Sequence, residues 1–571
     1  MRKTVTLILA VALVLSLAAG CGSSKPSASA PPSGSESQTT PEQSGTLEES
    51  PLNPEAESPA EPIPESSEDL YSYTMPLSDK PAELSFWYIF PSVFLTFMDG
   101  PEDFQAYAKM EELSNVHLEW ITTPAETSDS SFNIMVASGA YQDLLYNAAD
   151  KYSLGLDAAV ENGVVMPLED LVEEYMPCYS YWRSQDESFA KNTVTDQHLA
   201  AIWGYCPHEI IETGPYVRQD VLDELNMDMP VTYDDYYELL KAFKSEYGGS
   251  APFAGLGSNG LIMGGNYLTA GFGVAACIGI NSSTLPFYVV DNEVKFGPTQ
   301  DEFLSYLTMM NSWYSEGLID PDFASSDNAG WASRLVSSGD TVFWYAQLAN
   351  MPAYNEEMTG IDGINVVGSY DPVLEEGSVN HFRPYQTGTS FNSISISTAC
   401  ENIELACHWL DYWFSEEGSQ LGTWGVEGQG YDISSDGKKI ISENVLHNPD
   451  GIPMGIANTK YTLNRDVYYK DGTRDDQLYT QAQLDAMERW SAADIAYTFP
   501  SMASMTIDES EEYGLLISDV KTYLDECIPL FINGDMPLSE FDVFVETLEG
   551  SLNVNRLVEI MQASYDRYIN R

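Results

Sequence analysis

Aromatic side chains stand in pairs where predicted strands end. In an open α/β sheet a ligand binds at the carboxyl ends of the strands, and flat apolar rings offer it a surface on which to stack. The aromatic candidates for ligand contact are Trp87, Tyr88, Trp203, Tyr205, Tyr267, Trp344, Tyr345, Tyr385 and Trp424. At each of these positions the alternative is an ordinary core side chain, and that alternative stays open.

Polar side chains accompany these rings. Asn147 and Asp150 follow the short predicted strand Leu144–Tyr146, and Asn266 lies beside Tyr267 after a glycine-rich stretch. Amide and carboxylate groups can bind ligand hydroxyls through directed hydrogen bonds. Asp150 also fits a helix cap or a solvated acid.

The sequence contains no motif typical of catalysis or metal binding. Residues 255–260 fit the spacing GxGxxG, but no acidic residue follows before Asp291, so the ribose partner of a dinucleotide site is missing. Adjacent acids such as Glu173 and Glu174 point to different sides of a helix, and no HExxH or GxSxG occurs. We therefore assign no catalytic residue, no metal ligand and no cofactor. A structural calcium ion stays an open question without assignable ligands.

Composition bounds the class of protein. The chain has 571 residues, of which 43% are hydrophobic, and this is enough for two or three domains. A formal net charge of −62 argues against nucleic acid as a partner, because a phosphate backbone needs a basic surface. The disulfide state of the cysteines stays open, although we favour buried thiols, since no CxxC occurs among Cys178, Cys206, Cys277, Cys400, Cys407 and Cys527.

The first residues have the layout of a secretory signal. Arg2 and Lys3 precede the uncharged, largely apolar stretch 4–17, and small residues then lead to Cys21. This pattern resembles a bacterial lipoprotein signal, in which the cysteine is lipidated, although Ala18 stands where such signals favour leucine. The alternative is an ordinary signal with an incidental cysteine. The Ser-, Pro- and Glu-rich stretch that follows is predicted to be a disordered, extended tether.

Strands and helices alternate along the rest of the chain, which predicts an α/β architecture. Predicted strands include Leu84–Phe90 and Leu144–Tyr146, and predicted helices include Tyr233–Ser245 and Gln481–Trp490. Tyr216–Leu225 is also predicted as a helix.

Several segments, in order along the chain, resemble signatures of the extracellular solute-binding proteins of ABC importers. They are Ile134–Leu145, Tyr216–Asn226 with Pro230–Leu239, Tyr314–Phe323, Leu335–Tyr345, Asp411–Gly418 with Trp424–Tyr431, and Ile532–Asp535 with Met561–Tyr568. Gln142 departs from the pattern, since the family favours proline there. The subgroup that is resembled consists of large lipoproteins associated with oligosaccharide import in Gram-positive bacteria.

The resemblance implies a periplasmic-binding-protein-like type II fold, with two α/β lobes, a hinge and an interlobe ligand cleft. The predicted organisation is a signal peptide at 1–20, the lipidated Cys21 and tether at 21–74, lobe 1 at 75–215 plus 390–430, and lobe 2 at 216–389 plus 431–571, with C-terminal helices that can pack on both lobes. Trp344 becomes the first choice for stacking, because related proteins carry aromatic residues in that strand.

The resemblance also implies a function. We expect a non-enzymatic monomer on the outer face of a Gram-positive cell membrane, held there by the lipid on Cys21. It would capture a small solute, expected to be an oligosaccharide, and pass it to ABC permease subunits. The alternatives are a surface-anchored glycoside hydrolase and a binding protein for peptides or sugar derivatives.

Overall fold

The computed structural model describes residues 70–208, 211, 213–254, 267–276, 286–324, 338–356, 361, 363–383, 388–464 and 466–571. The chain divides into two compact units, Met1–Ala56 and Glu57–Arg571, and the described residues all belong to the second. The predicted signal peptide, Cys21 and the tether up to residue 69 lie outside them, as do Asn266, Tyr385 and Cys277.

The strands and helices of the described residues alternate along much of the chain. The strands are β1 (Ala82–Ile89), β2 (Val116–Thr123), β3 (Leu144–Tyr146), β4 (Ile202–Tyr205), β5 (Thr213–Arg218), β6 (Phe287–Val290), β7 (Glu293–Phe296), β8 (Phe343–Gln347), β9 (Val366–Gly368), β10 (Thr389–Ile396), β11 (Tyr431–Ile433) and β12 (Lys439–Ile441). The helices are α1 (Gln105–Ser114), α2 (Ser128–Ser138), α3 (Ala148–Lys151), α4 (Gly155–Glu161), α5 (Glu169–Tyr175), α6 (Pro177–Gln185), α7 (Glu187–Asn192), α8 (Gln219–Leu225), α9 (Tyr233–Tyr247), α10 (Tyr267–Ala270), α11 (Asp301–Ser315), α12 (Met351–Glu356), α13 (Ile403–Tyr412), α14 (Glu416–Trp424), α15 (Glu443–Leu446), α16 (Met454–Tyr461), α17 (Gln481–Trp490), α18 (Ile507–Asn533), α19 (Phe541–Glu546) and α20 (Val554–Ile569).

The first lobe is built on a five-stranded sheet of order β2-β1-β3-β10-β4. β1 runs parallel to β2 and β3, whereas β10 runs antiparallel to β3 and β4. One face of β1 carries Leu84, Phe86 and Tyr88 into a core with α1 and α13, and Trp87 points into a second core with α2. This alternation is what a strand covered on both faces requires.

The second lobe is built around a three-stranded antiparallel sheet of order β8-β5-β9. Val217 of β5 and Phe343 of β8 share a core with α9, α11, α18 and α20. Tyr216 and Trp344 pack on the other face, against Trp490 of α17. The predicted α/β class with two lobes is confirmed.

Three crossing segments, residues 206–212, 369–388 and 470–480, connect the lobes. The first joins β4 to β5, and the second joins β9 to β10. Thr389 pairs with Tyr205, and the Ser369 N–H donates to the Pro215 carbonyl at 2.8 Å, so both segments leave the same edge of each sheet. We call these two edges the crossing edges. The third segment runs from Tyr469, in the first core, to α17 on the second sheet.

The packing bears on the predicted lobe boundaries, which remain a prediction. Ile452, Ile456 and Tyr469 lie in the core of the first lobe, although the prediction placed residues 431–571 in lobe 2. The packing therefore favours moving 452–469 to lobe 1. The last turn of α20 also contacts the first lobe, where the Tyr568 hydroxyl donates to Asn192 at 2.8 Å.

One predicted element is wrong. Thr213–Arg218 is strand β5, and only Gln219–Leu225 is helical, whereas a helix was expected from Tyr216. The charges of residues 218–224 suit a solvated helix turn, but Tyr216 and Val217 pair with both neighbours in the sheet. Tertiary pairing overrides the local pattern at this junction. Within the described ranges no helix is long and apolar enough to cross a membrane.

Candidate functional site

The crossing edge of the first lobe carries an amide pair. Asn147 follows β3 with a left-handed backbone (φ 54°), a conformation that asparagine tolerates better than most residues. Its N–H donates to the Ser393 carbonyl at 2.7 Å, and its side-chain oxygen accepts from the Ser393 N–H at 2.8 Å. Its side-chain nitrogen donates to the Asn392 side-chain oxygen at 3.0 Å. Asn147 thus fixes the half-buried Asn392 at the start of the return strand β10.

Asp150 lies one turn further on and is exposed. Its carboxylate pairs with Lys151 at 2.9 Å, and 68% of its side chain is accessible. The same lysine pairs with Asp129 at 2.8 Å. This is the environment of a solvated acid, so a ligand role for Asp150 stays a prediction without support from its contacts.

Trp203 and Tyr205 close β4 at the same edge. Trp203 is half-buried, and its indole N–H is enclosed without a hydrogen-bond partner among the described residues. Tyr205 is buried; its hydroxyl donates to Asp186 at 3.0 Å and its ring stacks on Phe189 at 4.2 Å. Of the two, Trp203 is the one that keeps both accessible ring surface and an unused donor.

Trp87 and Tyr88 are buried in the two cores of the first lobe. Trp87 is 2% exposed and meets Phe132 edge to face at 5.3 Å. Tyr88 is 5% exposed, and its hydroxyl donates to the buried carboxylate of Asp466 at 3.0 Å. Their packing matches the core alternative, and ligand contact stays a prediction for both.

Trp344 and Tyr345 occupy opposite faces of β8. Trp344 is 0% exposed and lies between Tyr216 (6.1 Å) and Tyr354 (5.5 Å), so a ligand could stack on it only after rearrangement. Tyr345 is half-buried near the end of β8, and its hydroxyl hydrogen-bonds to Asp371. Tyr345 therefore stands at the crossing edge of the second lobe, whereas Trp344 lies in its core.

Asp371 is a residue that the sequence interpretation missed. It follows β9 at the crossing edge, and burial raises the pKa of its carboxyl group to about 7, although the hydrogen bond from Tyr345 acts in the opposite direction. Its Oδ1 atom is enclosed and has no hydrogen-bond partner among the described residues. The stretch Ser369-Tyr370-Asp371-Pro372, a polar turn after a buried strand, was the available signal.

Trp424 is the last residue of α14 and lies beside Arg474 of the third crossing segment. It is 8% exposed, with Lys439 Nζ 5.6 Å and Arg474 Cζ 5.9 Å from its ring centroid. Tyr431 meets it edge to face at 5.9 Å. The side chain of Tyr267 lies outside the described residues, together with Asn266 and Tyr385.

The side chains at the two crossing edges offer aromatic ring surface and hydrogen-bonding groups. No group of three or more His, Cys, Asp or Glu side chains is placed there to hold a metal ion. Cys178, Cys206, Cys400, Cys407 and Cys527 are free thiols. What the geometry brings together is Trp203, Asn147 and Asn392 on one crossing edge, and Tyr345 and Asp371 on the other.

Comparison with known proteins identifies the relatives of the chain. No family model matches it. Lipoprotein LipO of Bacillus subtilis is 26% identical over 392 residues, 64% of this chain and 73% of LipO. The fructooligosaccharide ABC transporter substrate-binding protein FusA of Streptococcus pneumoniae is 26% identical over 342 residues, 56% of this chain and 59% of FusA. The chain is thus similar to a lipoprotein and to a substrate-binding protein of an ABC transporter, the family that its motifs resemble.

Solved structures of solute-binding proteins share the fold over most of this chain. A human-milk-oligosaccharide (HMO) binding protein from Bifidobacterium longum infantis superimposes with a TM-score of 0.67 at 18% identity, covering 86% of this chain and 99% of that one. FusA in complex with kestose gives a TM-score of 0.61 at 18% identity, covering 86% and 100%. Alginate-binding protein AlgQ2 gives 0.61 at 21% identity, covering 86% and 99%. The predicted periplasmic-binding-protein-like fold is confirmed.

The comparisons also bear on catalysis and calcium. FusA is named as the substrate-binding protein of an ABC transporter, and AlgQ2 is named as an alginate-binding protein. AlgQ2 was solved without calcium ion, and FusA was also solved as an EF-hand mutant, so calcium is a question for this fold. Within the described part of this chain, no group of three or more His, Cys, Asp or Glu side chains is placed to hold a calcium ion.

Proposed function

We propose that this solute-binding protein captures a neutral oligosaccharide between the two crossing edges and delivers it to an ABC permease. The observation that carries the proposal is the placement of Trp203 and the Asn147–Asn392 pair on one edge, with Tyr345 and Asp371 on the other. Crossing segments leave both edges, so a rotation at these segments would move the edges relative to each other. Ligand contacts made to both edges would favour the closed form.

The side chains favour a carbohydrate. A sugar ring has apolar faces for the Trp203 indole and a rim of hydroxyls for amide and carboxylate groups. A hydroxyl that reached the enclosed Oδ1 of Asp371 would supply the donor it lacks among the described residues. FusA, named for fructooligosaccharides, and the protein named for HMO binding support the same ligand class.

The charges favour a neutral sugar over a uronate. Asp371 stands at the crossing edge, and the whole chain carries a formal net charge of −62. A carboxylated sugar would meet repulsion from the surrounding field, and also from Asp371 in those molecules in which its carboxyl group is ionised. AlgQ2 is named for alginate binding, and YtcQ of Bacillus subtilis, which is 21% identical, is named for polygalacturonan and rhamnogalacturonan binding. Acidic oligosaccharides should therefore be tested beside neutral ones.

Export and lipid anchoring form part of the proposal. The small residues before Cys21 and the acidic tether support a lipid-linked protein on the outer face of a cell membrane. The name of LipO supports the same assignment. A tether would keep the binding body close to its permease.

A thermal-shift panel tests the proposed ligand class. Residues 70–571 would be mixed with kestose, nystose, lacto-N-tetraose, trigalacturonate, the corresponding monosaccharides and a tripeptide. We expect stabilisation by a neutral oligosaccharide, since binding to the folded state raises the melting temperature. Chromatography of the same mixtures should recover the sugar intact.

Three outcomes would contradict the proposal. Release of shorter sugars would support the glycoside hydrolase alternative. Stabilisation by the tripeptide alone would move the ligand class to peptides. Stabilisation by trigalacturonate without any neutral oligosaccharide would overturn the charge argument. Addition of calcium or of a chelator in each well tests whether an ion contributes to stability.

A further inference from the structure

A buried carboxylate of the first lobe is held by Arg567, in the last helix of the second lobe, and by Arg571, two residues after that helix ends. Asp196, which follows α7, accepts hydrogen bonds from Arg567 and, at 2.8 Å, from Arg571. Ser504, which precedes α18, donates to the same carboxylate at 3.0 Å. The side chains of Asp196 and Arg571 are only 10% and 6% exposed. In a chain with 87 acids against 25 lysines and arginines, two arginines are used at this one contact.

Neighbouring groups extend the contact in both directions. The Tyr568 hydroxyl donates to the Asn192 side-chain oxygen at 2.8 Å, and Lys191 Nζ donates to the Ile569 carbonyl at 3.2 Å. Arg571 also donates to the Val194 carbonyl at 2.7 Å. The acid that balances Arg567 on the side of the second lobe is Glu509 of α18. We call this set of contacts the Asp196 cluster.

Each side of the Asp196 cluster is fixed by packing or hydrogen bonds within its own lobe. Leu557 and Ile560 place the apolar face of α20 in the core that also contains Val217 and Phe343. On the other side, Thr195 bonds through its hydroxyl to Asp157 and accepts from the His198 N–H at 3.0 Å. The cluster therefore joins residues that are each fixed by further contacts within their own lobe.

Separation at this contact would leave buried charges without partners. Breaking a buried ion pair is strongly destabilising, because the desolvated charges lose the interactions that compensate their burial. The crossing segments are tied to one another as well: the Cys206 N–H donates to the Gly388 carbonyl at 2.6 Å, and the Lys470 N–H donates to the Tyr205 carbonyl at 2.8 Å. Motion between the lobes must keep both sets of contacts.

We propose that the Asp196 cluster is a second pivot of the protein. The lobes rotate about a line through the crossing segments and this cluster, and the cluster stays intact in the open and the closed form. The Asp196 carboxylate thus restricts the direction of closure. The proposal goes beyond solute binding and does not depend on which solute binds.

Distances between spin labels test the pivot without any ligand. One pair, at Glu187 and Asp566, reports on the Asp196 cluster; both positions are exposed and lie on opposite lobes. The other pair, at Val93 and Leu374, lies after β1 and after β9 and is 58% and 55% exposed. Each residue of a pair is replaced by cysteine, and labelling of the parent chain measures the background from native thiols. We expect a narrow distance distribution for the cluster pair and a wider one for the Val93–Leu374 pair.

Variants decide whether the carboxylate causes the narrow distribution. Asp196→Asn should broaden the distribution of the cluster pair, since it removes the charge that both arginines share. Arg567→Lys keeps the positive charge but loses the two parallel donors of the guanidinium group, so it should broaden the distance distribution of the cluster pair less than Asp196→Asn does. It replaces Asp196→Asn in the test if that variant does not fold. The matched control is Arg556→Gln, which breaks the ion pair with Glu512 (2.7 Å) inside the second lobe and should change neither distribution. The pivot is overturned if the cluster pair is as widely distributed as the Val93–Leu374 pair, or if the variants that fold leave it unchanged.

Discussion

At the scale of single residues, three acids are held in surroundings that favour their neutral form. Burial raises the pKa of Asp371 and Asp466 to about 7 and that of Asp411 to about 6. Asp466 accepts from Tyr88, while Asp411 accepts from the Tyr73 hydroxyl at 2.6 Å. These hydrogen bonds stabilise the ionised form only in part, because desolvation is the larger effect at each site.

The raised pKa values predict a stability that falls as the pH rises. The ordinary pKa of an aspartate is 3.8, so between about pH 4 and pH 7 the folded state binds more protons than the unfolded state. The contribution of each acid is therefore complete at low pH and is lost as the pH rises through the folded-state value. Asp466→Asn should flatten the dependence of melting temperature on pH between 5 and 8, as measured by differential scanning fluorimetry. The exposed Asp150→Asn is the control, and an equal slope in parent and Asp466→Asn would show that Asp466 does not titrate in this range.

Alanine substitutions at Trp203 and Trp344 distinguish a ring that stacks on the ligand from a ring that belongs to the core. Trp203→Ala should weaken binding of the stabilising oligosaccharide by about 1–3 kcal/mol while the melting temperature changes little, since its ring is half-buried. Trp344→Ala should instead lower the free energy of unfolding by about 3–5 kcal/mol, because its fully buried ring would leave a cavity.

Calorimetry and denaturant unfolding of both tryptophan variants give the two quantities. Selective loss of binding in Trp344→Ala, with stability intact, would restore Trp344 as the platform that the sequence favoured. The sequence placed both rings at strand ends, whereas Trp203 is the second residue of β4 and Trp344 is the second residue of β8. It could not tell which ring faces the core, since that depends on the register of β8 against β5 and on Trp490, which lies far along the chain.

At the scale of elements, local signals located boundaries well where a cap or a turn is present. Thr232 immediately precedes the predicted helix Tyr233–Ser245, and it forms a reciprocal capping box with Asp235 at the start of α9. Gly550, a residue that helix interiors disfavour, lies in a π-turn at Thr547–Ser551 that separates α19 from α20. The helix predicted from Tyr216 failed because the pairing of β5 with β8 and β9 joins residues that are distant in sequence.

Two glycine-to-alanine substitutions are expected to change the free energy of unfolding in opposite directions, one in the sheet beneath α17 and one in α18. A Cβ atom on Gly214 of β5 would lie 2.2 Å from Cε2 of Trp490, inside a packed core. Gly214→Ala should therefore destabilise the protein by about 1–3 kcal/mol. Gly514 in α18 has open space around it, so Gly514→Ala should stabilise the helix by about 0.5–1 kcal/mol. Denaturant unfolding measures both changes, and equal shifts of one sign would contradict the close contact at Gly214.

At the scale of the whole molecule, the order of motifs along the chain predicted the family and the fold. The comparisons found a relative named as a substrate-binding protein of an ABC transporter and confirmed the fold. The lobe boundaries were harder, because residues 452–469 return to the first core and only then does the chain cross to α17. The contact of Asp196 with Arg567 and Arg571 joins residues more than 370 positions apart, and no local pattern announces it.

The lipid anchor is a prediction about the whole molecule in its cell. The stretch Leu70–Leu77 packs on the first lobe, where Tyr73 donates to Asp411 and Cys178 Sγ donates to the Tyr71 carbonyl at 3.3 Å. A tether from Cys21 would then pull on the first lobe and leave the second free to turn about the Asp196 cluster. Cys21→Ser should move the protein from the membrane fraction to the medium, because one residue supplies the proposed attachment, while binding by the body stays unchanged. Fractionation with immunoblotting measures the distribution, and Cys206→Ser, at a half-buried free thiol, is the control. Retention of Cys21→Ser on the membrane, with the signal removed, would show that attachment is made elsewhere.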